Sequence, residues 1–265
     1  MDDPSAGTSN TQHAQAIVKA AAAWAVAGAA IAVALRRMRT LNLHQGRTPI
    51  ESGSRCVSFV HASCSTVWAV RLLQQRGCLL CRPSEFVEKL EEEASPPNTP
   101  EEESLFRFSS AYWLADLLYL LGFERDPLFV AHHGVTLAIW PGCLAMRRGA
   151  LVPLLATFLG EVSTPLLNAW WLAKRAGNSR LERPLSRAFS AVFLPVRSVL
   201  LPLYAWAYAR SALAGRLDRR LGAATARLWA LLLAAAAAGG VEWSRSLAKG
   251  LLKTSGRVDK KPGPR

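Results

Sequence analysis

The sequence has few cysteines and no pattern that would organise them. Its 265 residues include 5 cysteines, at spacings that do not make a disulfide framework. Cys78 and Cys81 form a lone CxxC pair. Without a second pair they cannot complete the four-ligand site of a structural zinc. We therefore expect no special chemistry from the cysteines and no metal site.

Acidic residues are also scarce. There are 19 Asp and Glu against 32 Lys and Arg, which gives a formal net charge of +13. The basic residues form no runs interleaved with aromatic residues, as a nucleic-acid-binding face would. They lie beside apolar windows and in the C-terminal tail, which is typical of cations that contact anionic headgroups at membrane ends. We expect membrane lipids as partners and no nucleic acid, and the sequence leaves the oligomeric state open.

The N-terminus lacks the basic segment that precedes the apolar core of a secretory signal. Residues 1–13 are polar and begin with Met1, Asp2 and Asp3, so we expect a polar tail. A first transmembrane helix and a basic loop should follow over residues 14–54. The chain shows no internal repeat.

Long apolar windows are abundant. Hydrophobic residues make up 51% of the chain, although polar segments dilute the mean hydropathy to +0.14. A helix needs about 20 apolar residues to cross a hydrocarbon core of about 30 Å. Several windows are apolar on every face, unlike helices of soluble proteins. We predict an all-α membrane protein with about seven transmembrane helices, near residues 16–35, 56–75, 106–122, 128–145, 150–173, 188–209 and 224–243.

Two segments outside these windows look unfolded. Residues 82–104 contain eight glutamates and several prolines, a composition that cannot bury apolar surface. We expect a solvated, partly disordered acidic loop there. Residues 246–265 are basic and carry glycine and proline, and we expect a disordered tail.

Ionisable residues inside the windows point to a polar interior. A charge that faced lipid at mid-membrane would cost about 2.5–3.5 kcal/mol on insertion scales. Asp116, Glu161 and Arg197 lie in three different windows, so the favourable arrangement turns all three toward a shared cavity. We expect Arg197 to neutralise a carboxylate there.

Helical spacing groups further side chains with these charges. Residues three, four or seven apart share a face of a helix. The resulting candidate substrate-binding residues are Tyr112, Tyr119, Thr136, Glu161, Thr164, Asn168 and Arg197. Interhelical hydrogen bonding is an alternative role for the threonines and the asparagine. Pro165 should kink its helix beside Glu161 and free a backbone carbonyl.

His132 and His133 are the candidate catalytic residues, with Asp116 as their partner. Imidazole can act as a general acid, a general base or a nucleophile on a lipid headgroup or acyl carbonyl, and a carboxylate can set its tautomer. Two histidines without further ligand spacing make a weak metal site.

At these residues the chain resembles the TLC-domain family, which groups ceramide synthases, translocation-associated membrane proteins and smaller TLC domain-containing proteins. The matching segments run in family order over residues 55–245. They are Arg55-Cys56-Val57-Ser58-Phe59-Val60-His61, Ser110-Ala111-Tyr112-Trp113-Leu114-Ala115-Asp116, Ala131-His132-His133-Gly134-Val135-Thr136-Leu137, Glu161-Val162-Ser163-Thr164-Pro165-Leu166-Leu167-Asn168 and Phe193-Leu194-Pro195-Val196-Arg197.

The resemblance implies a TLC domain over residues 55–245, built as a six-helix pseudo-barrel with one extra N-terminal helix. It also implies a lipid-related role in the endoplasmic reticulum or another endomembrane, with the plasma membrane left open. His132 and His133 look like the reactive pair of ceramide synthases. Where those enzymes carry a second His-Asp-x-x-Asp stretch, this chain reads Gly160-Glu161-Val162-Ser163-Thr164, which is closer to the small TLC domain-containing subgroup.

Three functions remain open at this point. The first is lipid homeostasis, with a lipid or acyl chain bound in a polar-lined cavity. The second is a lipid acyltransferase that uses His132 and His133, with acyl-CoA as co-substrate and no other cofactor. The third is transport or cargo escort, which rests on the charged interior alone.

Overall fold

The computed structural model describes residues 4–37, 48–79, 81–93 and 97–258. These ranges are helical and contain no strand, so the predicted all-α class is confirmed. The helices are α1 Pro4–Arg37, α2 Thr48–Gln75, α3 Pro83–Glu93, α4 Pro100–Tyr119, α5 Pro127–Met146, α6 Leu151–Glu161, α7 Thr164–Arg175, α8 Ser179–Pro195, α9 Leu201–Leu213, α10 Asp218–Leu221 and α11 Ala223–Val258.

Six of the described helical segments are long and apolar enough to cross a membrane. They are Asn10–Leu35, Pro49–Gln75, Pro127–Met146, Leu151–Arg175, Ser179–Leu213 and Ala223–Leu251. Helix α4, of 20 residues, carries the remaining predicted window and packs among them. The chain is a multi-pass membrane protein, as predicted.

Six segments close into a ring. Helix α2 packs against α4, α4 against α5, and α5 against α11. The ring continues from α11 to α9, and from α8 to α7, which packs back against α2. Helix α1 lies outside the ring, against α2 and α4. This arrangement confirms the predicted six-helix pseudo-barrel with one extra N-terminal helix.

Two π-helical turns interrupt the ring helices. Leu120–Glu124 ends α4, and Val196–Leu200 joins α8 to α9 directly after Pro195. A π turn inserts an extra residue, which rotates the side chains beside it relative to a regular helix. Proline favours such a turn because it cannot donate its backbone hydrogen bond. Arg197 lies in the second π turn and points into the ring.

The segment 151–175 is broken in its middle. Helix α6 ends at Glu161, and α7 begins at Thr164 with Pro165 in its first turn. The predicted kink beside Pro165 lies at this break. Because the helical bonding pattern is interrupted there, backbone carbonyls near Glu161 become available to side chains.

The acidic segment 82–104 differs from the expected loop. Its residues 83–93 form α3, and α4 begins at Pro100. Phe86 and Leu90 lie on one face of α3, four residues apart, and both are buried. The Phe86 ring packs 5.4 Å from the Tyr204 ring. Glu88 and Glu92 are exposed, so composition concealed an amphipathic helix.

Both ends of the chain are more helical than expected. Helix α1 already begins at Pro4, within the segment expected as a polar tail. Helix α11 continues to Val258, into the segment expected as a disordered tail. Residues 1–3 and 259–265 of those two segments lie outside the described residues.

The CxxC pair also differs from the expectation of no special chemistry. Cys78 and Cys81 form a disulfide in the turn between α2 and α3. Both residues are buried, and the Tyr204 hydroxyl donates a hydrogen bond to the Cys81 carbonyl. The disulfide therefore joins the cluster that holds α3 against α9.

Candidate functional site

A cavity of about 250 Å³ lies inside the helix ring. Every one of the six ring segments contributes side chains to its wall. Its polar lining consists of Ser54, Arg55, Ser58, Asp116, Glu124, His132, His133, Glu161, Ser163, Thr164, Asn168 and Arg197, with the Tyr112 and Trp113 rings beside them. The predicted shared chamber for charges from separate helices is thus present.

Asp116 and His133 form the central contact of this cavity. His133 Nε2 lies 2.9 Å from Asp116 Oδ2, and the two side chains are largely buried. His133 Nδ1 donates to the Phe129 carbonyl at 2.9 Å, because a carbonyl can only accept. Ser54 Oγ donates to Asp116 Oδ1 at 3.2 Å. Both nitrogens of His133 are therefore engaged, and its ring is fixed.

His132 is arranged differently from its neighbour. It lines the cavity, and its ring lies edge-on to His133 at 5.5 Å and to Trp243 at 5.6 Å. These ring contacts leave the nitrogens of His132 available to a ligand. The two imidazoles thus differ in geometry: His132 makes ring contacts at the cavity wall, whereas hydrogen bonds hold both nitrogens of His133.

Arg197 binds a backbone carbonyl rather than a carboxylate. Its Nη2 donates to the Gly160 carbonyl at 2.6 Å, and Thr164 Oγ1 donates to the same carbonyl at 3.3 Å. Glu161 also lines the cavity, but no ion pair within 4.0 Å joins it to Arg197 in the described chain. The break between α6 and α7 supplies the carbonyl, and Glu161 acts on Arg197 electrostatically without a direct ion pair.

Asn168 joins two ring helices and also faces the cavity. Its Nδ2 donates to Ser58 Oγ at 2.9 Å, which links α7 to α2. Its Oδ1 is buried and has no partner among the described atoms. The interhelical role and the binding role that the sequence left open for Asn168 coexist in this side chain.

Two predicted binding residues lie outside the wall of this cavity, although Tyr119 lines a neighbouring apolar groove between α1, α2 and α4. The Tyr119 hydroxyl donates to Glu124 Oε1 at 3.0 Å. Thr136 Oγ1 donates to the His133 carbonyl at 2.9 Å, within its own helix. Tyr119 lies seven residues after Tyr112, which predicted that both face the same way. However, α4 ends at Tyr119, and a π turn begins at Leu120.

Sequence reasoning missed the contribution of α2. Ser54 and Ser58 are four residues apart, on one face of the helix, and bind Asp116 and Asn168 respectively. Arg55 lies at the cavity wall and over the Trp171 ring, 5.6 Å from its centroid. The i, i+4 serine spacing was the available signal.

The comparison with known families agrees with this architecture. The family model for the TLC domain matches residues 51–238, from α2 into α11. The chain belongs to the TLC-domain family. It is 37% identical over 116 residues to a TLC domain-containing protein of Arabidopsis thaliana, an alignment that covers 40% of this chain and 46% of the relative. The chain thus spans about half the length of that curated relative, whose description is consistent with the small TLC subgroup.

An apolar groove adjoins the TLC-domain cavity. It measures about 520 Å³ and lies between α1, α2 and α4. Apolar residues such as Trp24, Val57 and Leu118 line it, and Ser54 and Asp116 line both the groove and the cavity. Ser54 and Asp116, which a hydrogen bond joins, therefore lie where the cavity and the groove meet.

The TLC-domain site offers acid–base groups rather than a metal centre. Within the part of the chain that the structure describes, no group of three or more His, Cys, Asp or Glu could hold a metal ion. The chemistry that these residues can perform is imidazole acid–base or nucleophilic catalysis, together with hydrogen bonding to a polar ligand.

Proposed function

We propose that this TLC-domain protein binds a membrane lipid and takes part in the control of membrane lipid composition. The observation that carries the proposal is the adjacency of a polar cavity and an apolar groove, which share Asp116 and Ser54. A lipid has the same two parts. Its polar end would contact the cavity wall, and its acyl chain would lie along the groove beside α1.

The two volumes support this division of the ligand. Pockets for drug-sized molecules typically measure about 300–1,000 Å³. The cavity, at about 250 Å³, is suited to a headgroup alone. The groove, at about 520 Å³, has the apolar lining that a hydrocarbon chain needs.

The position of His132 favours a second candidate, an acyltransferase. A base at His132 would take the proton from an acceptor hydroxyl or amine as that group attacks the thioester carbonyl of acyl-CoA. The carbon–sulfur bond would break, and the imidazolium would return the proton to the leaving thiolate. The contact between Asp116 and His133 would hold in place the turn of α5 that carries His132, and neither residue would react.

The experiment that tests both candidates compares cellular lipids. Cells that lack the protein would receive the wild type, His132→Ala/His133→Ala or the control Gly134→Ala, in which the added methyl meets no atom within 4 Å. Lipid homeostasis predicts an altered lipid profile in the double mutant and not in the control. Unchanged profiles in all three would overturn the proposal.

The enzyme candidate needs a second measurement. Purified protein would receive acyl-CoA with candidate amines or lysolipids. Turnover that His132→Ala abolishes would identify the acyltransferase. Bound lipid without turnover would leave lipid binding as the function. A flux defect that survives loss of both histidines would instead indicate transport.

The resemblance further suggests the endoplasmic reticulum or another endomembrane as the location. Co-localisation of a tagged full-length chain with organelle markers tests this directly, and a signal confined to the plasma membrane would overturn it.

A further inference from the structure

Arg197 presents a buried hydrogen-bond donor that the protein does not use. The side chain lines the cavity, and only 6% of the residue is exposed. One terminal nitrogen binds the Gly160 carbonyl. Its Nε has no partner among the described atoms. Most buried donors in native proteins are paired with protein, water or ligand, so this nitrogen is an unused donor in a side chain that lines the cavity.

Arg197 interacts electrostatically with Glu161 but has no direct ion pair with it. Glu161 lines the same cavity, yet the described residues contain no ion pair within 4.0 Å between it and Arg197. The guanidinium carbon lies 5.8 Å from the centroid of the Phe193 ring. A buried cation is costly unless its charge is paired and hydrogen-bonded, and a direct contact with an anionic ligand would add such a pair.

The neighbouring helices hold the guanidinium in position. Arg197 lies in the π turn after Pro195. Gly240 of α11 packs against it so closely that a Cβ there would lie 3.5 Å from Arg197 Cδ and 3.3 Å from the Arg197 carbonyl oxygen. The absence of a side chain at Gly240 makes room for the arginine stem. The donor is therefore fixed before a ligand arrives, which lowers the entropic cost of binding.

We propose that Arg197 binds the anionic group of an acidic lipid, either a phosphate or a carboxylate. This inference rests on the proposed function and adds the chemical class of the ligand. A planar guanidinium has five donors whose geometry matches two oxygens of such a group. The unpartnered Oδ1 of Asn168, in the same cavity, would accept from a hydroxyl or ammonium of the same headgroup.

The test uses the purified full-length chain in nanodiscs of phosphatidylcholine. Three probes share one palmitoyl chain: lysophosphatidic acid with a phosphate, palmitic acid with a carboxylate, and monopalmitoylglycerol with neither charge. Binding would be measured for the wild type, Arg197→Gln, Arg197→Lys and the control Arg219→Gln, whose side chain is exposed on α10.

We expect the wild type and Arg219→Gln to bind one acidic probe at least about tenfold more tightly than the neutral probe, as charge-assisted hydrogen bonds require. Arg197→Gln should lose about tenfold for that acidic probe and little for the neutral one, with Arg197→Lys between them. Preference for the phosphate or for the carboxylate probe identifies the source of the anion.

Failure of this inference is distinct from failure of the proposed function. Equal wild-type binding of neutral and acidic probes would overturn the anion site and leave lipid binding intact. An equal loss of both kinds of probe in Arg197→Gln would overturn it too, since Arg197 would then only shape the cavity. No binding of any probe would overturn lipid binding itself. The comparison of acidic and neutral probes on the wild type needs no variant. It therefore still tests the anion site if Arg197→Gln fails to fold.

Discussion

His133 Nε2 of α5 lies 2.9 Å from Asp116 Oδ2 of α4, and this contact separates the roles of two adjacent histidines. Consecutive residues of an α-helix point about 100° apart. Both histidines line the cavity, but His133 faces α4, whereas His132 faces Trp243 on α11. The two histidines are therefore not equivalent: hydrogen bonds hold both nitrogens of His133, whereas His132 makes ring contacts.

Asp116→Ala should destabilise the protein strongly. The substitution leaves His133 Nε2 buried without its partner, and breaking a buried pair in this way typically costs about 3–5 kcal/mol. Thermal unfolding of purified protein in detergent would measure the effect. Glu88→Ala, on the exposed face of α3, is the control and should change the free energy of unfolding by less than about 0.5 kcal/mol. Equal melting temperatures for the two variants would contradict the prediction.

Chemical modification should distinguish the histidines. Diethylpyrocarbonate acylates an imidazole nitrogen that is free to attack. His132 should react first, because both nitrogens of His133 are hydrogen-bonded and His61 is completely buried against the Tyr112 ring. Mass spectrometry of the native protein over time would rank the three sites. Modification of His61 or His133 before His132 would show that the assignment is wrong, and denatured protein, in which all three react alike, is the control.

The membrane fold could be predicted from the sequence because its signal is local. Each apolar window is long enough to cross a membrane by itself, and charges such as Asp116 and Glu161 are too costly to face lipid. The sequence alone therefore predicted that these side chains face the interior of the helix ring. The same reasoning located the break beside Pro165, because proline cannot continue a helical hydrogen-bond pattern.

The details of the site depended on features without a local signal. The π turn at Val196–Leu200 sets the direction of Arg197, and Pro195 marks an interruption of the helix there without specifying an extra residue. The partner of Arg197 is a backbone carbonyl, which sequence reasoning about charged side chains does not consider. The i, i+4 spacing of the α2 serines is a weak signal, because serine is common in helices and only the fold brings Ser54 to Asp116.

Glu102 should be a second strongly stabilising carboxylate. It is only 2% exposed and accepts from Arg76 Nη2 at 2.8 Å and from the Thr99 backbone N–H at 2.8 Å, which completes a capping box at the start of α4. Glu102→Ala removes a buried ion pair and a helix cap together, so we expect a loss of about 3–5 kcal/mol.

The adjacent Glu101 provides the matched control for Glu102. Its ion pair with Arg71 spans 3.5 Å, and Arg71 is 66% exposed. Exposed pairs contribute about 0–1 kcal/mol, so Glu101→Ala should change stability little. Chemical or thermal unfolding of both variants in the same detergent makes the comparison, and similar losses for the two would contradict the buried role of Glu102.

Gly53, where α2 crosses α1, should tolerate an added side chain poorly. A Cβ at Gly53 would lie 2.4 Å from the Gly28 carbonyl oxygen and 3.2 Å from Ala32 Cβ. Since backbone atoms cannot move aside as a flexible side chain can, Gly53→Ala must force the two helices apart. We expect the free energy of unfolding to fall by at least about 1–3 kcal/mol, the usual cost of overpacking.

The same substitution at Gly134 is the control, because an added Cβ there meets no atom within 4 Å. Gly134→Ala should leave the free energy of unfolding unchanged or raise it by up to about 1 kcal/mol, since alanine is the better helix former. Helix α1 also forms one wall of the apolar groove, so Gly53→Ala should weaken binding of a palmitoyl probe, whereas Gly134→Ala should not. Unfolding curves and probe binding that are identical for both alanine variants would show that α1 does not pack on α2 at this distance.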